Sequence, residues 1–304
     1  MVVGFLTIVV VVAAGAWLAH AGVLDERSQV TLGEIAFFIC SPALMIRVIS
    51  EVEIAAAGTN LLASAIALTA CFVAFAVVSA GVWHRPLGEV VIGSLSSSYV
   101  NAGNLGIAIA AYVVGDIGVV VPTLLVQMLV VQPACLVLLD RLRAHRVDLR
   151  GILTRLLTNP LTVAAAIGVT LALTGWQLPE VVAAPIDVLA GGAIPLMLLS
   201  YGAALRLSPR LGQGGRNTEV ALASVLKLVV MPVVAWLTGT ALGMSGEALL
   251  GVVMTAALPT AQNIFLHATR YRVGQTVARE TILVTTVLAL PVSFVVALLL
   301  GGHL

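Results

Sequence analysis

The chain has 304 residues, 60% hydrophobic and only 10% charged, with a mean hydropathy of +1.12 and a net charge of +1. A water-soluble fold of this length cannot hide so much apolar side chain, so the composition points to a bilayer, and the near-zero charge argues against a nucleic-acid partner. Cys40, Cys71 and Cys135 are odd in number and all lie in apolar runs; they read as reduced packing residues, not as a disulfide frame or metal site.

Only closed, hydrogen-bonded elements survive in hydrocarbon, and long apolar helices supply them. The expected class is therefore an all-α membrane protein. Ten apolar segments of spanning length can be drawn, near 2–19, 31–50, 58–83, 90–114, 117–139, 160–175, 185–205, 219–241, 247–269 and 276–301. Ala19-His20-Ala21 resembles a signal cleavage site, but no basic segment leads it and nine more spans follow, so the first segment is expected to be a retained span. The second half replays the first. Gly88-Glu89 and Gly93 recur as Gly246-Glu247 and Gly251, a shift of 158 (246 − 88), and Pro133 recurs as Pro291 at the same shift (291 − 133). The expected organisation is a five-span repeat over 1–139, a basic cytoplasmic linker over 140–159, and a second five-span repeat over 160–304. An odd number of spans per repeat inverts the second copy.

Charge placement orients the bundle. Of the 15 basic residues, only Arg47 and Lys227 fall outside the odd-numbered connections, while the even ones carry acids such as Glu51, Asp116, Glu180 and Glu247. The positive-inside bias puts the odd connections in the cytoplasm and both termini outside the plasma (cytoplasmic) membrane. Within the linker, Leu149, Ile152, Leu153, Leu156 and Leu157 recur at helical spacing, as in a segment lying on the inner membrane surface.

The chemistry is expected where spans are broken. The fourth is interrupted by the polar and small run Ser96-Ser97-Ser98-Tyr99-Val100-Asn101-Ala102-Gly103-Asn104-Leu105-Gly106, and the ninth by Leu258-Pro259-Thr260-Ala261-Gln262-Asn263. At a shift of 158, Asn101 overlays Pro259 and Asn104 overlays Gln262. Amides at mid-membrane are costly without partners. Pro259 removes a backbone donor, and Gly103 loosens the helix. Two half-helices meeting there would aim free N–H groups and positive dipole ends at one point, an anion site without a buried cation. Amides also join helices in many bundles; two such clusters at equivalent depths favour a transport site.

These residues resemble a known family. Asn101-Ala102-Gly103-Asn104-Leu105-Gly106, Asn159-Pro160-Leu161, Pro195-Leu196-Met197-Leu198-Leu199-Ser200-Tyr201-Gly202 and Leu258-Pro259-Thr260-Ala261-Gln262-Asn263-Ile264-Phe265 look like the auxin efflux carrier family, which includes plant carriers and bacterial permeases proposed for organic acids. The resemblance covers essentially the whole chain. It implies a bile-acid/sodium-symporter-like fold, with broken helices 4 and 9 crossing at the substrate site. It further implies a scaffold from spans 1, 2, 6 and 7, a transport domain from spans 3–5 and 8–10, and a homodimer joined through the scaffolds. By the same resemblance, Asn101 and Asn104 bind a carboxylate and Gln132 helps line the site. The chain departs from the plant pattern at 58–83, which carries no charged residue where those carriers have an acid and a lysine.

The expected substrate-binding set is Asn101, Gly103, Asn104, Gln132, Pro259, Thr260, Gln262 and Asn263, with no catalytic residue, metal or cofactor. Lys227 lies about eight residues into the eighth span, roughly 12 Å deep at about 1.5 Å per residue. It is expected either to snorkel or to attract the substrate anion as a charge or coupling residue. The expected function is an elevator-type secondary transporter of a small organic acid anion. A channel, a substrate sensor and a sodium-coupled symporter stand as alternatives. No H-E-x-x-H run and no Gly-x-Ser-x-Gly elbow suggests an enzyme.

Overall fold

The computed structural model describes residues 2–51, 54–144, 157–207 and 214–301, with 151, 154 and 212 as single positions. Among the described residues the fold is helical, with one isolated antiparallel β-bridge, Val100 to Thr260. The helices are α1 (Val2–His20), α2 (Glu26–Ser50), α3 (Ile54–Gly81), α4 (Leu87–Ser98), α5 (102–114), α6 (117–144), α7 (Pro160–Thr174), α8 (Glu180–Leu207), α9 (Asn217–Ala241), α10 (Gly246–Ala256), α11 (Asn263–Tyr271) and α12 (Gln275–Gly301). Seven of these, α1, α2, α3, α6, α8, α9 and α12, are long and apolar enough to cross a membrane. The other three expected spans correspond to the short helix α7 and to the pairs α4/α5 and α10/α11.

Helix ends follow local chemistry. The Asp25 side chain accepts from the Ser28 N–H at 2.8 Å and starts α2, and the Ser28 side chain together with that N–H holds its carboxyl below the usual 3.8. Asn159 caps α7 by accepting from Leu161 N–H at 2.9 Å, Pro160 fills the first helical position, and Gly175 closes the helix at φ 65°. Helix continues through Ala144, past the expected boundary at 139, because Asp140-Arg141-Leu142-Arg143-Ala144 holds no breaker. Leu149, Ile152, Leu153 and Leu156, the expected surface-lying stripe, are outside the described residues; Leu157 is helical and exposed.

Among the described residues five π turns occur, two of them in α5, at Ala102–Gly106 and Ala110–Val114. In the other three, Ala36–Cys40, Gln127–Val131 and Leu226–Val230, a proline follows two residues after the turn: Pro42, Pro133 and Pro232. Proline has no N–H and collides with the carbonyl four residues back, and one extra residue in the turn relieves both problems.

Two groups of packed helices result. In one, α1 lies on α8, and α2 packs against α7 and α8. Glycines set this spacing: a Cβ on Gly15 would sit 2.2 Å from Leu199 O, and one on Gly202 1.9 Å from Val12 O. In the other, α3 packs on α4 and α9, α9 on α10, and α12 on α4, α9 and α10. At one end of this second group, buried Glu219 accepts from Arg85 at 2.7 Å and Arg216 at 2.8 Å, and Arg216 also reaches Glu89 at 3.1 Å. The Glu219 contact holds Arg216 more firmly protonated than usual.

Candidate functional site: the crossing of two interrupted helices

Helix α4 stops at Ser98, and the backbone extends through Tyr99 (φ −80°, ψ 117°) before α5 begins. Helix α10 stops at Ala256, and α11 begins only at Asn263. The two interruptions meet as a minimal antiparallel ribbon. Asn101 N–H donates to Pro259 O at 2.9 Å, and Ala261 N–H donates to Tyr99 O at 3.1 Å. Backbone groups that lost their helical partners are thus paired across the crossing, as a dry interior requires.

Side chains from the next helix clasp each strand of the ribbon. Gln127 of α6 accepts from Val100 N–H and donates to Val100 O, so its carboxamide acts as a third strand. Thr285 of α12 accepts from Thr260 N–H at 3.1 Å, and the Thr260 hydroxyl donates to Ser96 O at 2.6 Å. Gln127 and Thr285 are themselves 158 residues apart (285 − 127). The single shift fails inside the breaks, however. Ser98 and Ala256, the last residues before them, are 158 apart (256 − 98), whereas Ala102 and Asn263, the first after them, are 161 apart (263 − 102). The second interruption is three residues longer, so Asn101 and Gln262 are the matching N-caps, not Asn101 and Pro259.

Both second half-helices, α5 and α11, therefore start at the crossing. Each start carries about half a positive charge, and at α11 the Ile264 and Phe265 N–H groups donate back to Ala261 O at 3.2 Å and Gln262 O at 3.1 Å. Asn101 is 4% exposed, and its Nδ2 has no partner. Nearby, Gln132 Oε1 accepts from the Tyr99 hydroxyl at 2.9 Å and from Asn263 Nδ2 at 3.3 Å, which leaves Asn263 Oδ1 buried without a partner. The buried spare donors and acceptors sit among the ends of broken helices, where a polar ligand can complete them.

The predicted residues divide by role. Asn101, Gln132 and Asn263 carry polar groups at the crossing, and Gln132 and Asn263 touch. Pro259 and Thr260 are structural, one through its carbonyl and the other through both its hydroxyl and N–H. Gln262 is exposed and faces a cavity of about 440 Å³ between α2, α8, α11 and α12, together with Glu26, Gln29, Tyr201 and Arg279. Asn104 lies in the first turn of α5, and its side chain is outside the described residues. Gly103 is not where the backbones close: a Cβ there would meet Leu161 and Leu124 at an ordinary 3.6 and 3.7 Å. The tight position is Gly106, where a Cβ would lie 2.7 Å from Leu258 Cδ1. Lys227 does not snorkel. It is wholly buried, and Nζ donates to Ala256 O at 2.7 Å and to Met231 Sδ at 3.3 Å.

Tyr99 falls within the expected interruption and Gln127 reads from sequence as a helix–helix hydrogen-bond partner, but neither has a place in the expected binding set, and Thr285 was missed. The shift of 158 between Gln127 and Thr285 was the available signal.

A family model described as "Membrane transport protein" matches residues 1–297. The chain belongs to this family. Auxin efflux carrier component 4 of Arabidopsis thaliana is 26% identical over 151 residues, 48% of this chain and 24% of that protein. Auxin efflux carrier component 2 of Oryza sativa subsp. japonica is 25% identical over the same length, again covering 24% of the plant protein. A protein of Rhizobium meliloti (strain 1021) named "Putative malonate transporter" is 27% identical over 274 residues, 85% of this chain and 82% of its own. This membrane transport protein thus matches about a quarter of the length of its plant relatives and most of its bacterial one.

Proposed function

We propose that this transporter is a secondary carrier that moves a small organic acid anion across the plasma membrane. The carboxylate binds at the crossing, where the starts of α5 and α11 supply positive dipole ends and Asn101 supplies an unpaired amide N–H. The observation that carries this reading is the Val100–Thr260 bridge between two interrupted helices, flanked by a buried donor without a partner, Asn101 Nδ2. Counting α4/α5 and α10/α11 as one span each gives ten spans in two inverted five-helix repeats. That count agrees with the arginine-rich odd connections and supports a topology with both termini outside.

The packing supports an elevator. The first group, α1, α2, α7 and α8, acts as the scaffold and as the surface of a homodimer. The second carries the crossing and slides against it. The cavity beside Gln262 lies between the two groups and is lined by Glu26, Gln29 and Arg279, residues that begin α2 and α12 on the side assigned to the cytoplasm. It is the entry path to the site. Moving one negative charge outward across a membrane negative inside releases about 2.3 kcal/mol per 100 mV, so the potential alone sustains export.

The test uses purified protein. Malonate and indole-3-acetate are screened for a rise in melting temperature, then for uptake into proteoliposomes. Binding of at least one acid, weakened about 10–100-fold in Asn101→Ala while the protein stays monodisperse, supports the site. Full affinity and uptake in that variant would overturn it.

A further inference from the structure

Lys227 is a charge the proposed binding site does not use. It lies in the π turn of α9, wholly buried, and its ammonium meets the carbonyl of Ala256, the last residue of α10. A helix end of that kind carries about half a negative charge. In carriers built from discontinuous helices, such carbonyl ends are where coupling cations sit. Among the described residues no carboxylate pairs with Lys227; the two wholly buried acids, Glu219 and Glu280, pair with arginines instead. The corresponding end of α4 is met by neutral groups, the Thr260 hydroxyl on Ser96 O and the Gln127 amide on Val100 O.

The charge sum at the crossing follows. Two helix starts and two helix ends contribute four half-charges that cancel. The Lys227 ammonium remains. Resting on the carrier reading above, we propose that Lys227 is a tethered counter-ion that stands in for a co-transported cation, so the crossing is +1 when empty and neutral when it holds a monocarboxylate. The membrane potential then acts on the empty return and not on the loaded step. With the interior negative, the empty positive domain is drawn inward, which favours export. Over about 100 mV the bias on one full charge is about 50-fold.

The experiment is exchange of labelled acid in proteoliposomes of the full-length protein, with a potassium diffusion potential of about 100 mV on or off and with sodium or choline outside. Exchange involves only loaded crossings. Indole-3-acetate exchange is expected to change less than about twofold with potential, whereas malonate, with one further negative charge, changes several-fold. Replacing sodium with choline leaves both unaltered. In K227M, indole-3-acetate exchange acquires the potential dependence of malonate in the native protein, and K227R keeps the native pattern. If K227M does not fold, the native protein still decides, because the charge of any single carried acid fixes its expected slope. Sodium-dependent exchange, or potential-dependent exchange of the monocarboxylate by the native protein, overturns the proposal and leaves the carrier reading intact. Absence of both binding and transport for either acid would overturn the carrier reading itself.

Discussion

Gln127→Leu removes one side chain and orphans two backbone groups. The native carboxamide takes up both the N–H and the C=O of Val100, and both residues are almost wholly buried. Leucine has similar bulk and creates little cavity, so the cost is that of unpaired polar groups. Each is about 1–3 kcal/mol in protein interiors, which gives about 2–6 kcal/mol for the pair. Side-chain hydrogen bonds measured between membrane helices average only about 0.6 kcal/mol, since the unfolded chain finds other partners. Val100 has no such recourse in the native state, because it sits where α4 has ended and α5 has not begun. The expected cost is therefore about 3 kcal/mol. The matched control is Gln132→Leu, which removes contacts only to the Tyr99 hydroxyl and the Asn263 amide, with an expected cost of about 1 kcal/mol. Unfolding of both variants in mixed detergent–SDS micelles measures the difference. Equal losses would refute the claim that Gln127 completes the ribbon.

Asn101→Ala is expected to leave stability within about 1 kcal/mol, since the lost Nδ2 has no partner, and to weaken carboxylate binding about 10–100-fold, the worth of one charge-assisted bond, read by calorimetric titration. Gly202→Ala places a methyl 1.9 Å from Val12 O and must push α1 from α8, so the yield of folded protein falls sharply; Gly191→Ala, on the same helix with nothing within 4 Å, is expected to hold or raise stability by up to about 1 kcal/mol in the same micelle assay. Pro133→Ala lets α6 close its wide turn, so binding weakens while the melting temperature holds or rises.

Much of the fold was legible because its signals are local. Asn159-Pro160 and Gly175 bracket α7 by capping chemistry alone, and the expected 160–175 differs from Pro160–Thr174 by one residue. Hydropathy misplaces other starts for a physical reason. It detects where hydrocarbon begins, not where helix begins. Helix α2 starts at Glu26 and not near 31, because its first turn, Glu26-Arg27-Ser28-Gln29, is polar; α8 starts at Glu180 and not near 185, opening on one acid followed by the exposed Val181 and Val182. The polar interruptions were equally visible, since Asn, Gln and Pro stand out against Leu and Val. Their register was not. A shift measured on flanking helices carries no information about loop length, and the second loop is three residues longer.

The roles of the amides were hidden for a geometric reason. Gln127 and Gln132 are five residues apart, which in a regular α-helix separates them by about 140° around the axis. On that wheel only one of them faces the crossing, and the resemblance favoured Gln132. The π turn at Gln127–Val131 adds a residue to the turn and brings positions five apart close to one face. Gln127 then reaches Val100, and Gln132 reaches Tyr99, the adjacent residue of the same ribbon strand. One amide pairs with the ribbon backbone and the other with the Tyr99 and Asn263 side chains because of the proline that follows them. Pro232 acts in the same way on α9, where the widened turn carries Lys227 to the end of α10. A proline that reads as a helix breaker in the sequence is, in this bundle, what turns polar side chains onto the break in a different helix.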